Sequence, residues 1–105
     1  SDKSLFQGIM NLYQNKEEGK PLFNFVVTMQ GHGGYIDPGY PTDVQVASQE
    51  GKTFAAENEY FTSIRKTDQA FEQLITFLKN YKEPTIVLMY GDHQPSLSDA
   101  FYDSY

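Results

Sequence analysis

The stretch Thr85-Ile86-Val87-Leu88-Met89-Tyr90-Gly91-Asp92-His93-Gln94-Pro95 constrains this chain more than any other. It begins as an unbroken run of β-branched and apolar residues, the pattern of a strand buried on both faces. It ends abruptly in glycine, aspartate and histidine. Gly91 permits a turn or a close backbone approach to a ligand. In an open α/β sheet, ligands bind just past the carboxyl ends of parallel strands, and Asp92 and His93 fall at that position. A carboxylate and an imidazole there are half of a divalent-metal site. The alternative for the same residues is a turn with an Asx cap beside a surface histidine.

A second apolar run, Leu22 to Met29, follows the punctuation of Pro21 and also predicts a strand, with Asn24 its one polar exception. Ahead of it, Leu5, Phe6, Ile9, Met10, Leu12 and Tyr13 recur at helical spacing. They predict an amphipathic helix from Ser4 to Lys16, capped by Ser1, Asp2 or Ser4 and stopped by Gly19.

The segment from Thr53 to Tyr81 predicts a longer helix, at about 55–80. Tyr60, Ile64, Phe71, Leu74, Ile75 and Leu78 form its apolar stripe, and Glu57, Glu59 and Arg65 are among its polar faces. Between strand and helix, Gln30 to Lys52 is a glycine- and proline-rich loop (Gly31, Gly33, Gly34, Pro38, Gly39, Pro41, Gly51). A loop that long inside a compact domain is usually functional. Tyr35, Ile36, Tyr40 and Val44 give it side chains to pack with, and Asp43 to Val46 is expected as a short edge strand.

The fold class expected is α/β. Strand, crossover helix and strand predict a parallel, right-handed βαβ unit. In such a unit both strands end at the same sheet edge. Gly31-His32-Gly33-Gly34 would leave the first strand there and Gly91-Asp92-His93 the second, so His32 is expected beside Asp92 and His93. For Arg65 and Asp68 a polar pair supporting the fold is the better reading.

Composition excludes several functions. The formal net charge is −6 and the isoelectric point about 4.7. With no basic stripe, nucleic acid is not an expected partner, and an anionic membrane surface repels the chain. The absence of cysteine rules out disulfides, thiolate ligands and a cysteine nucleophile. There is no signal peptide and no apolar run of about 18 residues, so no membrane span is expected within this chain. Eight Tyr and eight Phe are a globular composition. Two strands buried on both faces need neighbours that 105 residues hardly supply. Residues 1–105 are therefore expected to be part of a larger α/β domain.

Three segments carry a family resemblance. Phe25-Val26-Val27-Thr28-Met29-Gln30-Gly31-His32-Gly33-Gly34-Tyr35 resembles the strand and histidine loop of the sulfatase-like phosphoglycerol transferases. That group includes the lipoteichoic acid synthases and belongs to the alkaline phosphatase superfamily. Tyr60-Phe61-Thr62-Ser63-Ile64-Arg65-Lys66-Thr67-Asp68-Gln69-Ala70 is similar to the helix that follows, and Tyr90-Gly91-Asp92-His93-Gln94-Pro95-Ser96-Leu97 looks like the metal-binding turn.

The resemblance implies the C-terminal portion of a catalytic domain with a three-layer α/β/α sandwich fold. It implies that Asp92 and His93 ligate one divalent metal, Mn2+ or Mg2+. It implies that His32 is catalytic and binds the substrate's phosphate or leaving oxygen. Where the family often has Asn before that histidine and Pro two residues after it, this chain has Gly31 and Gly34. The family's nucleophilic threonine and early acidic ligand have no counterpart here, so the chain alone is expected to be inactive.

For the parent, the resemblance implies transfer of glycerol phosphate from a phosphatidylglycerol-like lipid to a glycan or polymer acceptor. This would occur through a phosphothreonine, on the extracellular face of a bacterial cell membrane. A sulfatase, a phosphoethanolamine transferase or a phosphodiesterase of the same superfamily is one alternative. A non-catalytic binding module is the other.

Overall fold

A computed structural model describes residues 1–35, 39–47 and 51–105. Ile36 and Pro38, assigned to the loop above, lie outside the described residues. The described residues form three helices: α1 (Asp2–Asn15), α2 (Ala55–Lys79) and α3 (Asp99–Tyr102). It divides into two compact units, Ser1–Gln30 with Lys66–Tyr90, and Gly31–Arg65 with Gly91–Tyr105.

In the first unit α1 packs on the later part of α2. Ser1 caps α1, its hydroxyl accepting from Ser4 N at 3.3 Å and so satisfying one of the amides that a helix start leaves unpaired. Helical spacing puts Phe6, Ile9 and Met10 on one face. They meet Ala70, Phe71, Leu74 and Leu78, with Phe6, Ala70 and Leu74 buried. Further along, the Tyr13 ring stands edge-on to Tyr81 at 5.1 Å, and the Tyr81 hydroxyl donates to Tyr13 O at 3.0 Å.

Helix α1 ends at Asn15, before the expected stop. There Lys16 pairs with Glu83 at 2.5 Å, and Gly19 N donates to the same carboxylate at 2.9 Å. Gly19 has φ +79°, a left-handed conformation that glycine adopts without steric cost.

One polar network lies inside this unit. Asp2 is 3% exposed. The Thr67 hydroxyl donates to Asp2 Oδ2 at 2.6 Å. Asp2 and Gln30 exchange a reciprocal pair, Asp2 N to Gln30 Oε1 at 3.0 Å and Gln30 N to Asp2 Oδ1 at 3.3 Å. The apolar spacing of α1 gave no sign that its first residue, Asp2, would be buried.

No strand ladder forms among the described residues, and segments 22–29 and 85–90 have no strand partner within them. Leu22, Asn24 and Val26 are half-buried, whereas Phe23 is 88% and Ile86 98% exposed. Residues expected to be buried on both faces are thus open within this chain, because a central strand draws that burial from flanking strands and helices. Asn24 Nδ2 is buried with no hydrogen-bond partner among the described residues. No helix among the described residues is long and apolar enough to cross a membrane.

The second unit has an aromatic core. Phe54 is buried and meets Phe101 edge-on at 5.8 Å, Phe61 lies 5.9 Å from Phe101, and Tyr35 meets Tyr60 at 5.4 Å. Such tilted and edge-on pairs add to plain area burial. Segment 43–46, expected as an edge strand, is held by side chains of α2, as is Thr42 before it. Thr62 Oγ1 accepts from Asp43 N and Val44 N at 3.2 and 3.0 Å, and Asn58 Oδ1 accepts from Val46 N at 2.6 Å. The Thr42 hydroxyl donates to Glu59.

Candidate functional site

His32, Asp92 and His93 all belong to the second unit. All three side chains are exposed. Asp92 Oδ1 accepts from His93 N, the next amide along the chain, at 3.0 Å. His93 Nδ1 lies 2.8 Å from Gln94 O. A carbonyl only accepts, so this bond puts a proton on Nδ1 and leaves the Nε2 lone pair outward in the neutral ring. That Nε2 lies 3.5 Å from Asp92 Oδ2. Two acceptors facing each other across that gap repel unless a cation, either a proton or a metal ion, joins them.

Asp92 and His93 are therefore the pair that could hold a metal. Among the described residues no group of three or more His, Cys, Asp or Glu side chains is placed to hold one. His32 is less fixed. Its Nδ1 lies 3.4 Å from Gly33 O, too long to hold the ring firmly. Gly34 has φ +100°, a conformation closed to proline, whose ring holds φ near −65°. Gly34 thus gives this loop a backbone path that proline at the same position could not follow. Arg65 and Asp68 are both exposed.

The backbone leaving His93 is fastened at two points. The Tyr102 hydroxyl donates to Pro95 O at 2.6 Å. Glu57, read above as polar surface, is instead 2% exposed, and its Oε1 accepts from Ser98 N at 2.9 Å and from the Ser98 hydroxyl at 2.5 Å. Burial pushes the Glu57 carboxyl up, but the Ser98 hydroxyl and amide, with its own backbone amide, outweigh this and hold it below the usual carboxylate range. Ser98 also caps α3, accepting from Phe101 N at 3.2 Å. The sequence signal for that short helix was Ser98-Asp99, a cap followed by a first-turn acid.

The Sulfatase family matches residues 1–104. The chain belongs to the Sulfatase family. It is 30% identical over 105 residues to a Rhizobium meliloti protein described as "Putative cyclic beta-1,2-glucan modification protein", covering 96% of this chain and 16% of that protein. It is 29% identical over 82 residues to an uncharacterized protein of Haemophilus influenzae, covering 77% of this chain and 15% of that one. The chain thus spans about a sixth of the length of the curated relatives it matches. No solved structure matches it.

Proposed function

We propose that this chain is the C-terminal part of the catalytic domain of a metal-dependent phosphoglycerol transferase. That enzyme moves glycerol phosphate from a phosphatidylglycerol-like lipid to a cell-envelope glycan or polymer, outside the bacterial membrane. The observation that carries the reading is the facing pair of lone-pair atoms, Asp92 Oδ2 and His93 Nε2, 3.5 Å apart with the His93 tautomer set by Gln94. Two ligands each about 2.1 Å from one ion, at an open angle, are separated by about that distance. An oxygen and an imidazole donor suit manganese or a similar divalent ion. The remaining ligands and the nucleophile would come from the rest of the domain, which accords with the small share of the relatives that this chain spans.

Segments 22–29 and 85–90 are then parallel strands of the parent's sheet. Their open apolar side chains are covered by the remainder of the domain, and the two loops leave that sheet at one edge. Asp92 and His93 would hold a divalent ion there, which would supply polarisation of a phosphoryl oxygen and stabilisation of its developing charge. His93 presents Nε2 because Gln94 holds its Nδ1 proton, and Asp92 supplies the anionic charge. His32 donates a hydrogen bond or proton to the leaving oxygen. The Rhizobium relative's description as a glucan modification protein favours a glycan acceptor. The family's description favours a second reading, hydrolysis of a sulfate ester on the same metal.

The purified full-length protein, given manganese, a phosphatidylglycerol with labelled head group and a β-glucan, should transfer label to the glucan. Transfer should be lost with chelator and in His93→Ala. Release of sulfate from an aryl sulfate with no lipid turnover would replace the transferase reading by the hydrolase one.

A further inference from the structure

Glu57 is a buried carboxylate with no part in the chemistry above. It sits in the first turn of α2, 2% exposed, and its side chain accepts two hydrogen bonds from Ser98, 41 residues away in sequence. Hydrogen bonds to an ionised acceptor are roughly twice as strong as neutral ones. Ser98 relays this restraint, because its hydroxyl donates to Glu57 while accepting from Phe101 N. With the Tyr102 bond to Pro95, the short segment after His93 is held at both Pro95 and Ser98. Gln94 lies just before it, and its carbonyl fixes the His93 tautomer.

We infer that Glu57 is a positioning residue for the Asp92–His93 metal pair: by anchoring Ser98 it holds the backbone that carries the Gln94 carbonyl, and so keeps His93 Nε2 presented as a ligand. This rests on the metal assignment proposed above. Loosening Ser98 lets Gln94 drift, the imidazole gains rotational and tautomeric freedom, and the ion is bound by a less preorganised pair. Outer partners that orient metal-ligating histidines typically contribute about 10- to 100-fold in metal affinity. An anchor acting through a backbone segment belongs at the lower end.

The test is isothermal titration of the full-length protein with manganese chloride, with melting temperature measured in parallel. Glu57→Leu should weaken manganese binding about tenfold. Glu57→Gln, whose amide oxygen still accepts from Ser98, should recover most of the affinity. Ser98→Ala, which keeps the amide but loses the hydroxyl, should fall between and carries the test if Glu57→Leu does not fold. Phe6→Ala, in the core of the other unit, should lower the melting temperature and leave manganese affinity unchanged.

Wild-type affinity in both Glu57→Leu and Ser98→Ala would overturn the inference. So would weakening in Phe6→Ala as large as in Glu57→Leu, since stability alone would then explain it. A wild-type protein whose manganese binding is indifferent to Asp92→Ala would instead overturn the metal assignment on which the inference rests.

Discussion

Thr67→Val is the sharpest probe of the first unit. The substitution keeps the side-chain shape and removes one hydroxyl. That hydroxyl donates to Asp2 Oδ2 at 2.6 Å, with Asp2 3% and Thr67 9% exposed. Water cannot replace it without opening the contact between α1 and α2. A hydrogen bond to a charged acceptor contributes about 1.5–3 kcal/mol, and a buried oxygen left unmatched adds to the loss. A cost of about 2 kcal/mol is expected, felt locally at the start of α1 and at Gln30, which shares the same carboxylate.

Hydrogen exchange on the full-length protein reads this directly. Amides of residues 2–15 and of Gln30 should exchange about thirtyfold faster where they open sub-globally, while those of residues 39–47 should not change. The partner variant Asp2→Ala should remove the effect, so that adding Thr67→Val to it costs less than about 0.5 kcal/mol more. Additive effects, or unchanged exchange at α1, would refute the network as the tie between these elements.

Other outcomes follow from the same geometry. Glu57 has its carboxyl held below the usual carboxylate range, so its anchor contributes stability above that range and loses it only as pH falls through the depressed value. Exchange protection of residues 95–103 should therefore be constant from neutral pH down to about 5 and fall below it. Glu83 behaves alike, lowered first by the Lys16 ammonium and then by the Gly19 amide. Glu83→Gln should raise exchange at residues 13–20 with no effect on residues 95–103. His32→Ala in the full-length protein should cut turnover by about 10² to 10⁴, the usual worth of a positioned acid or base; an unchanged rate would remove its catalytic role. The 105-residue chain alone should bind manganese only weakly and release no glycerol phosphate, because two ligands do not complete a catalytic site. Tight stoichiometric binding by that chain would show that it holds a whole site.

The helices were legible because their burial obeys a local period. Phe6, Ile9 and Met10, and Ala70, Leu74 and Leu78, meet as a repeat of 3.6 requires. What the period could not reveal is polar burial that depends on distant partners. Asp2 finds Gln30 and Thr67 at separations of 28 and 65 residues, and Glu57 finds Ser98 at 41, so in sequence Asp2 read only as a candidate cap and Glu57 only as a polar helix face. Ile64 fails in the opposite sense, lying in the apolar stripe yet 41% exposed. The segments predicted as strands are a different case. Their pairing needs neighbouring strands, and Phe23, Phe25, Ile86 and Leu88 stand exposed within this chain, so the parallel unit rests on pattern and proposal. Of the site, the Gly-Asp-His turn was visible in sequence. The Gln94 bond that sets the His93 tautomer was not, because it depends on where a backbone carbonyl points.

The most direct test of the metal assignment is spectroscopic. Mn2+ bound to the full-length protein should show, in pulsed electron paramagnetic resonance, the hyperfine coupling of one directly ligating imidazole nitrogen. In His93→Ala that coupling should vanish. A coupling that persists undiminished in His93→Ala, or bound manganese with no nitrogen ligand at all, would contradict the central claim that Asp92 and His93 hold the catalytic ion.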